Sequence, residues 1–447
     1  MPILNKKEAV ILFVGDIFIF FLSLLITLLV RYQGEFLHIF ESHLRPFSIL
    51  FLVWVLVFFI AGLYDRHTTL LKGKLPSIVF HSEVVNSIIA VLFFYLIPSF
   101  GITPKTNLFG TLFISFFLVF FWRRYGYRLA SYRKKQNTML ISSGKEAREL
   151  QKEINANPRY GMHISSFIDL EKILGPDLKD AIMKKVSFTQ VSYIIIDFKN
   201  EKITPILPHL YPLLFGGVQF LEMDVLYENI FDRLPLSLIR DQWILENISL
   251  LPRKTYDFLK RILDIVLGAV ALVLSVPFYP FIIIAIKLDT RGPAFIVQDR
   301  VGQNDRVIRV YKFRTMSRNE TDLGKASDNR VTRVGLFLRR TRLDELPQLA
   351  NVIAGYLSLI GPRPELLSGV RLYEKEISYY RIRHLIKPGL SGWAQINDSL
   401  HAHHEIGREE TRNKLAYDLY YIKNRSFLLD LKIALRTVKI LLSFVGK

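Results

Sequence analysis

Two adjacent carboxylates stand directly after a cluster of cations in the last third of the chain. Residues 339–342 read Arg-Arg-Thr-Arg, and one leucine separates them from Asp344 and Glu345. At a phosphate site such cations can hold an anionic substrate, while one carboxylate binds a divalent metal ion and the other acts as nucleophile or base. Taken alone, the motif fits an Asp-Glu pair at the start of a helix equally well.

Three further short motifs in this region could position cations. Residues 309–314 read Arg-Val-Tyr-Lys-Phe-Arg and alternate as a strand does, which would place several basic side chains on one face. Residues 361–364 (Gly-Pro-Arg-Pro) form a stiff turn that fixes one arginine, and residues 387–393 form a second rigid loop with a cation and an indole. Alone, each loop would more often be an ordinary turn.

The composition indicates a membrane protein with an anionic partner. Of the 447 residues 50% are hydrophobic, and the mean hydropathy is +0.25. The absence of Cys excludes disulfides, thiolate metal sites and a cysteine nucleophile. The 59 basic and 40 acidic residues give a net charge of +19. No nucleic-acid-binding signature accompanies this charge, so nucleic acid is not the predicted partner.

Four apolar runs predict a four-helix transmembrane region over residues 1–135. The first run continues to about Val30, and the others lie at about 47–64, 84–100 and 107–122. Each is long enough, or nearly so, to cross roughly 30 Å of hydrocarbon as a helix. Basic residues gather before the first run, between the second and third, and after the fourth. The positive-inside preference then predicts that both ends of this region face the cytoplasm.

A fifth apolar stretch, residues 258–287, is predicted to enter the membrane and return on the same face. Pro277 breaks it, because proline removes a backbone hydrogen bond and kinks the helix. Both flanks are basic, so a spanning helix would place one cluster of cations outside, against the positive-inside preference. A re-entrant helix is therefore preferred to a fifth span.

Residues 136–250 have the rhythm of a Rossmann-like α/β domain. Short apolar runs at 138–141, 191–197 and 217–221 predict buried strands. The G-x-G-x-x-G fingerprint is missing, and Gly144 alone stands in the turn after the first strand. The prediction is a domain without a working NAD site that serves regulation or assembly.

The last segment, about 426–446, predicts an amphipathic helix. Its apolar residues recur at helical spacing and its cations fall on a different face, which suits a membrane surface rich in anionic lipid. An ordinary helix packed in the core is the other interpretation. The apolar positions are Phe427, Leu431, Leu435, Val438 and Leu442, and the basic ones are Lys432, Arg436 and Lys439.

Eight motifs occur in order in the last third of the chain. They are Lys260-Arg261-x-x-Asp264, Gly292-Pro293-Ala-Phe295, Gln298-Asp-Arg300-Val-Gly302, Tyr311-Lys312-Phe313-Arg314-Thr315-Met316, Leu343-Asp344-Glu345-Leu346-Pro347-Gln348, Gly361-Pro-Arg-Pro364, Lys387-Pro-Gly389-Leu-Ser-Gly392-Trp393-Ala-Gln395-Ile-Asn397 and Tyr417-Asp418-x-x-Tyr421. In these motifs the chain resembles the catalytic domain of the monotopic phosphoglycosyl transferases, the bacterial sugar transferase family. With the four spans and the Rossmann-like insert, it resembles the large branch of that family, the polyprenyl-phosphate hexose-1-phosphate transferases. The resemblance implies an α-rich catalytic domain over residues 251–447.

The resemblance also implies a two-step transfer of sugar phosphate at the cytoplasmic face of a bacterial inner membrane. A UDP-sugar would bind with Mg²⁺ bridging its diphosphate to Glu345, and Asp344 would attack the sugar-bearing phosphorus and release UMP. Polyprenol phosphate, held at the membrane, would then attack the phosphosugar–aspartyl intermediate. Further site positions implied by the motif match are Lys312, Arg314, Arg339, Arg363, Arg383 and Asp418.

The chain departs from the family pattern at three positions. Val276 stands before the helix-breaking proline where serine is usual, Asp398 stands where glycine is usual, and Ala350 stands where a bulkier aromatic is common. None of these changes alters the acidic pair, so the catalytic prediction is kept.

Three other functions are compatible with parts of the sequence. A catalytically silent relative could act as a scaffold of a polysaccharide-export assembly, but such a protein is expected to lose the acidic pair. A nucleotide-sugar oxidoreductase or epimerase centred on residues 136–250 is disfavoured by the missing glycine fingerprint, and a transporter is disfavoured because most of the chain lies outside the four spans. A homodimer is a further expectation.

Overall fold

The structure is a computed structural model of the whole chain. The chain forms two compact units, Met1–Leu221 and Glu222–Lys447. The basic loops at 65–74 and 127–135, which carry much of the predicted orientation, and Asp398 lie outside the described residues. The described residues are 6–32, 36–64, 75–97, 105–126, 136–157, 160–173, 175–248, 253–317, 331–397 and 407–442.

The first unit opens with four long apolar helices. They are α1 (Lys6–Tyr32), α2 (Phe36–Ile60), α3 (Leu75–Leu96) and α4 (Lys105–Phe121). Each is long and apolar enough to cross a membrane, as is the stretch Lys254–Asp289 in the second unit. Helices α2 and α3 begin before the predicted apolar runs, because polar residues such as Ser82 and Glu83 pack inside the bundle instead of ending the helix.

The core of this bundle combines an aromatic cluster with a buried ion pair. Phe20, Trp54 and Phe58 are fully buried, and the Phe20 ring packs edge-on against Trp54 and at a tilt against Phe58. Asp16 on α1 pairs with Arg123, which follows α4. A charge at this depth is costly unless it is paired, so the ion pair helps to fix how α1 and α4 pack.

The α/β part of the first unit is a four-stranded sheet in the order β2-β1-β3-β4. Strand β1 pairs in parallel with both β2 and β3. The predicted strands at 138–141, 191–197 and 217–221 coincide with β1, β3 and β4, whereas the alternating strand β2 was not predicted. The strands are β1 (Gln136–Ser142), β2 (Met162–Asp169), β3 (Tyr193–Ile196) and β4 (Gln219–Glu222), with the helices α5 (Gly144–Ala156), α6 (Gly175–Thr189), α7 (Leu207–Leu210) and α8 (Pro212–Phe215) between them.

The second unit begins earlier than the predicted boundary at residue 250. Helices α9 (Met223–Phe231) and α10 (Asp241–Asn247) pack with the C-terminal part of the chain. Glu228 accepts a hydrogen bond from Lys423 at 2.6 Å, and Trp243 lies in the same hydrophobic cluster as Trp393. These partners are far away in sequence, so local pattern could not place residues 222–250.

A broken apolar helix follows in the second unit. Helix α11 (Lys254–Ser275) leads through a single turn, Val276–Phe278, into α12 (Tyr279–Asp289). The Ser275 hydroxyl donates to the Leu272 carbonyl at 2.8 Å, so a hydroxyl satisfies a carbonyl near the break although Val276 replaces the usual serine.

The rest of the second unit is an antiparallel hairpin, a small parallel pair of strands and several helices. Strands β5 (Phe295–Val301) and β6 (Val307–Phe313) form the hairpin, and β7 (Ser358–Ile360) pairs in parallel with β8 (Gly389–Ser391). The helices are α13 (Arg333–Thr341), α14 (Gln348–Ala354), α15 (Leu367–Glu376), α16 (Trp393–Asn397), α17 (Arg408–Asn424) and α18 (Phe427–Leu442).

The C-terminal helix α18 is amphipathic, but two of its three predicted cations turn towards the protein, while Lys439 is exposed. Lys432 and Arg436 lie over the ring of Trp393, at 5.0 and 5.3 Å from its centroid. Leu428, Leu431 and Val438 are exposed, while Ile433 is buried in the core. The helix therefore combines both interpretations, because one side packs on the core and an apolar side faces outwards.

Candidate active site

Strand β6 and the turn before α14 bring Lys312 and the acidic pair together. Ile308 and Val310 of β6 are buried in one hydrophobic cluster and Phe313 in another, and Lys312 contacts the acidic turn. Asn351 on α14 fastens the turn to the strand: its Nδ2 donates to the Arg309 carbonyl at 2.7 Å and its Oδ1 accepts from a backbone N–H of β6 at 3.3 Å. The amide nitrogen and the amide oxygen of this buried side chain both bind the backbone of β6. They therefore hold α14, and the acidic turn before it, beside Lys312.

The loop 361–365 presents Arg363 to the same point. Backbone N–H groups bind its carbonyls at Pro362 and Glu365, and the Gly361 N–H donates to Ser391 at 2.8 Å. Gly389 must lack a side chain, because a Cβ there would lie 2.1 Å from the backbone nitrogen of Gly361. The two rigid loops recognised in the sequence are therefore one structure, packed backbone to backbone.

Glu345 is held between two cations. Its Oε1 accepts from Lys312 Nζ at 3.1 Å and from Arg363 Nη2 at 2.8 Å. Burial alone would raise the pKa of Glu345, but the charges of Arg363 and Lys312 outweigh it and hold that pKa at about 2. Glu345 is therefore a fixed anion that pairs with both Lys312 and Arg363.

Asp344 stands beside it without such partners. Only 9% of the residue is exposed, yet within the described part of the chain its carboxylate makes no hydrogen bond or ion pair. Burial raises the pKa of Asp344, and the neighbouring Glu345 charge raises it further, to about 6, against the opposing effect of nearby cations. An unengaged carboxylate with a raised pKa beside fixed cations is suited to act as a nucleophile.

The structure places Arg339 near this pair and Arg314 farther back. Arg339 donates from Nε to the Thr315 hydroxyl at 3.0 Å, and its charge is close enough to lower the pKa of Asp344 slightly. Arg314 is buried, and its guanidinium donates to the Thr290 carbonyl at 2.8 Å and the Arg291 carbonyl at 3.0 Å. Arg314 thus fixes the chain as it leaves α12.

Arg383 and Asp418 form a buried pair behind the Arg363 loop. Arg383 Nη2 lies 2.8 Å from Asp418 Oδ2 and donates to the Arg363 carbonyl at 3.0 Å. Its Nη1 donates to the Tyr380 hydroxyl at 2.7 Å. Burial raises the pKa of Asp418 to about 6, although the Arg383 charge opposes this. The geometry therefore joins both residues to the loop rather than to the acidic pair.

Two residues that support the site were not among the predicted positions. Arg300 donates from Nη1 to the Pro364 carbonyl at 2.7 Å, so it holds the Arg363 loop from the β5 side. Asn351 holds the acidic turn, as described above. Arg300 lies inside one of the eight matched motifs, which was the available signal; a single asparagine in a helix gave none.

The oxygen atoms at the acidic pair fit a magnesium ion. Mg²⁺ binds one or two carboxylates together with substrate phosphates. Glu345 uses Oε1 for both cations, while its Oε2 and the Asp344 carboxylate have no hydrogen-bond partner in the described residues. Hard, unengaged oxygen donors beside a cation-lined site are the donor set that Mg²⁺ with a diphosphate requires.

A site of this kind, on a unit with a long broken apolar helix, defines a membrane-associated transferase class. Residues 255–444 match the model of the family described as bacterial sugar transferase. The chain is 39% identical over 188 residues to the exopolysaccharide production protein PSS of Rhizobium leguminosarum bv. phaseoli, covering 40% of this chain and 93% of that protein. The chain therefore belongs to the bacterial sugar transferase family.

Two longer relatives also match part of the chain. A UDP-N-acetylgalactosamine-undecaprenyl-phosphate N-acetylgalactosaminephosphotransferase of Aeromonas hydrophila is 43% identical, over 44% of this chain and 47% of its own length. A UDP-glucose:undecaprenyl-phosphate glucose-1-phosphate transferase of Escherichia coli (strain K12) is 42% identical, over 40% of this chain and 39% of its own length. The chain thus spans less than half the length of these two relatives.

Proposed function

We propose that this protein transfers a sugar-1-phosphate from a UDP-sugar to polyprenol (undecaprenyl) phosphate and releases UMP. The step would open the assembly of an exopolysaccharide, capsule or O-antigen. The observation that carries the proposal is the contrast within the acidic pair: Glu345 is fixed by two cations, whereas Asp344 is buried and unengaged. The names of the relatives support the reaction class. A catalytically silent scaffold would not require one carboxylate of the pair to be fixed and the other unengaged.

In the first step, Asp344 attacks the sugar-bearing phosphorus of the donor. A bond forms between a carboxylate oxygen and that phosphorus, and the bond to the bridging oxygen breaks, so that UMP leaves with the electron pair. Lys312 and Arg363 stabilise the charge that develops on the phosphoryl oxygens. Mg²⁺, held by Glu345 when bound, supplies further neutralisation of the diphosphate charge.

In the second step, a phosphate oxygen of the polyprenol phosphate attacks the same phosphorus. The bond to Asp344 breaks, the carboxylate is restored, and polyprenol-diphosphate-sugar is formed. A carboxylate is a weak nucleophile and a good leaving group here, so both steps depend on positioning and on fixed positive charge. The rigid Arg363 loop, anchored by Arg300 and Arg383, supplies that positioning.

The proposal includes a re-entrant membrane helix that anchors the site. Before the break, Arg261 donates to the Val352 carbonyl at 2.7 Å and Asp264 accepts from the Leu359 N–H at 3.0 Å. After the break, Asp289 accepts from the Val334 N–H at 3.1 Å. Both ends of the broken helix thus contact the same catalytic unit, as expected if the chain enters and leaves the membrane on one face.

Three further features belong to the proposal. The catalytic unit faces the cytoplasm, where UDP-sugars are made, at the bacterial inner membrane. The α/β part of the first unit is a Rossmann-like domain, which its strand order supports. The protein forms a homodimer.

The test is UMP release by the full chain in nanodiscs. The assay contains Mg²⁺, undecaprenyl phosphate and a panel of UDP-sugars, with Asp344→Ala as the matched variant. We expect release with one donor and its loss in the variant, together with a donor-dependent covalent adduct on the wild-type chain. Folded protein that releases no UMP with any donor, or an active Asp344→Ala variant, would refute the proposal.

A further inference from the structure

Helix α13 carries apolar residues on its outward face. Leu336 and Phe337 are 41% and 59% exposed, and Arg333 and Arg340 flank them at helical spacing. The opposite face is packed, because Gly335 and Leu338 are buried. A helix that already buries one face has no need of two large exposed apolar side chains for its own stability.

This helix begins where the membrane helix α12 ends. Asp289, the last residue of α12, accepts from the Val334 N–H in the first turn of α13. Leu338 of α13 packs in the same cluster as Ile282 and Ile286 of α12. Helix α12 also exposes an apolar row at one-turn spacing, Phe281, Ile284 and Leu288, which stops one residue before Asp289.

The same helix ends at the acidic pair. Arg342 adopts the left-handed conformation, with φ of 55°, and closes α13, and the next turn contains Asp344 and Glu345. The seven steps from Val334 to Thr341 advance roughly 10 Å along the axis. Helix α13 therefore connects the end of the membrane helix to the nucleophile over a distance similar to the thickness of a lipid headgroup layer.

The end of the outward face nearest to Asp344 is basic. Within the part of the chain that the structure describes, Arg340 makes no hydrogen bond or ion pair. Arg339 and Arg363 already charge this side of the site. An unengaged guanidinium next to exposed Leu336 and Phe337 matches a ligand with an apolar chain and a phosphate head.

We propose that the outward face of α13 is the acceptor site, where Leu336 and Phe337 contact the first prenyl units of polyprenol phosphate and Arg340 binds its phosphate. The inference rests on the proposed function. It adds the residues that select the acceptor and guide it from the membrane to the Asp344 adduct. Bulk anionic phospholipid is the competing ligand, and the experiment below separates the two.

The experiment compares Phe337→Ala and Arg340→Ala with a matched pair of controls on α15. Arg371 and Leu372 are also an exposed arginine and an exposed apolar residue of the second unit, so Arg371→Ala and Leu372→Ala remove a guanidinium and a large apolar side chain elsewhere. Each variant is placed in nanodiscs, and its thermal unfolding is checked first. Two quantities are measured: the burst of UMP without acceptor, and KM for undecaprenyl phosphate in turnover.

We expect Phe337→Ala and Arg340→Ala each to raise KM for undecaprenyl phosphate by about tenfold. The UMP burst and KM for the UDP-sugar should stay within about twofold of wild type, because the donor half-reaction uses other residues. Arg340→Lys should recover part of the loss, since it keeps the charge. The controls should match wild type in every measurement.

Three results would overturn the inference. One is a KM for undecaprenyl phosphate in both α13 variants equal to that of the α15 controls. A second is a rise in KM for the UDP-sugar in the α13 variants, without a rise in KM for undecaprenyl phosphate. A third is a defect that follows the fraction of anionic phospholipid in the nanodisc rather than the acceptor concentration. A wild-type chain without any UMP burst would refute the proposed function itself, so the two failures are distinguishable.

Discussion

Arg383 Nη2 lies 2.8 Å from the carboxylate of Asp418 and also donates to the Arg363 carbonyl at 3.0 Å, so one buried ion pair holds the loop of an active-site cation. Both side chains are almost fully buried. The loop receives further hydrogen bonds from Arg300 and Val301. The position of Arg363 against Glu345 is thus set by groups that do not contact the acidic pair.

We therefore expect Asp418→Asn to lower both stability and turnover. Removing one partner leaves a buried charge uncompensated, which typically costs about 3 kcal/mol or more. Denaturant unfolding in detergent measures the loss, and UMP release measures its effect on kcat. The matched control is Glu410→Gln, which breaks the i,i+4 pair with Lys414 on α17 and should cost less than about 0.5 kcal/mol. Equal unfolding midpoints for the two variants would contradict this assignment.

The UMP burst should depend on the ionisation of Asp344. Its pKa of about 6 lies above the ordinary carboxyl value because of burial and the Glu345 charge. Since the nucleophile is the unprotonated form, kcat/KM for the donor should fall about tenfold per pH unit below pH 6 and level off above it. Stopped-flow UMP release from pH 4.5 to 8 checks this. A burst rate that is flat down to pH 4.5 would mean that Asp344 is not the titrating nucleophile.

The folded state should also bind the Asp344 proton more tightly than the unfolded chain does. The carboxyl pKa is higher when folded, so ionisation between about pH 4 and pH 6 lowers the free energy of unfolding. Asp344→Asn removes this titration. We expect the stability difference between the variant and wild type to shift in favour of the variant when the pH rises from 4.5 to 7. Denaturant midpoints of both proteins at both pH values measure this difference. An unchanged pH dependence in Asp344→Asn would argue against the raised pKa.

Glu345→Gln should impair metal dependence and turnover together. The change removes an anion that faces Lys312 and Arg363 and leaves those cations unpaired at the site. Losses of about 10² to 10⁴ in rate are typical for a positioned catalytic group. Titration of Mg²⁺ against initial rate provides the measurement. If the variant keeps the wild-type Mg²⁺ optimum, Glu345 does not hold the metal.

Gly335→Ala should destabilise the catalytic unit. A Cβ at this position would lie 2.0 Å from the Thr315 carbonyl oxygen, so α13 would have to move away from the strand that leads to Arg314. Such overpacking typically costs about 1–3 kcal/mol. Gly369→Ala is the control, because its Cβ would make an ordinary 3.4 Å contact and alanine favours the helix. A Gly335→Ala variant as stable as Gly369→Ala would refute the close packing.

Much of the local structure followed from the sequence alone. Each of the continuous apolar runs is about as long as a helix must be to cross a membrane. The four N-terminal helices were therefore predictable from hydropathy. Pro277 lies at the break between α11 and α12. The break was predictable because the missing N–H of proline is a property of that one residue. The short strand with Lys312 and the turn with Asp344 and Glu345 were likewise visible as alternation and as adjacent charges.

The tertiary structure decided which charged residues share a site and which support it. Arg314, Arg339, Arg363 and Arg383 carry the same side chain, and sequence gives each the same capacity to bind phosphate. Only the packing brings Arg363 to Glu345 and turns Arg314 and Arg383 towards carbonyls and Asp418. The difference arises because a guanidinium binds whatever acceptors the fold places nearby, and those acceptors come from segments far away in the chain.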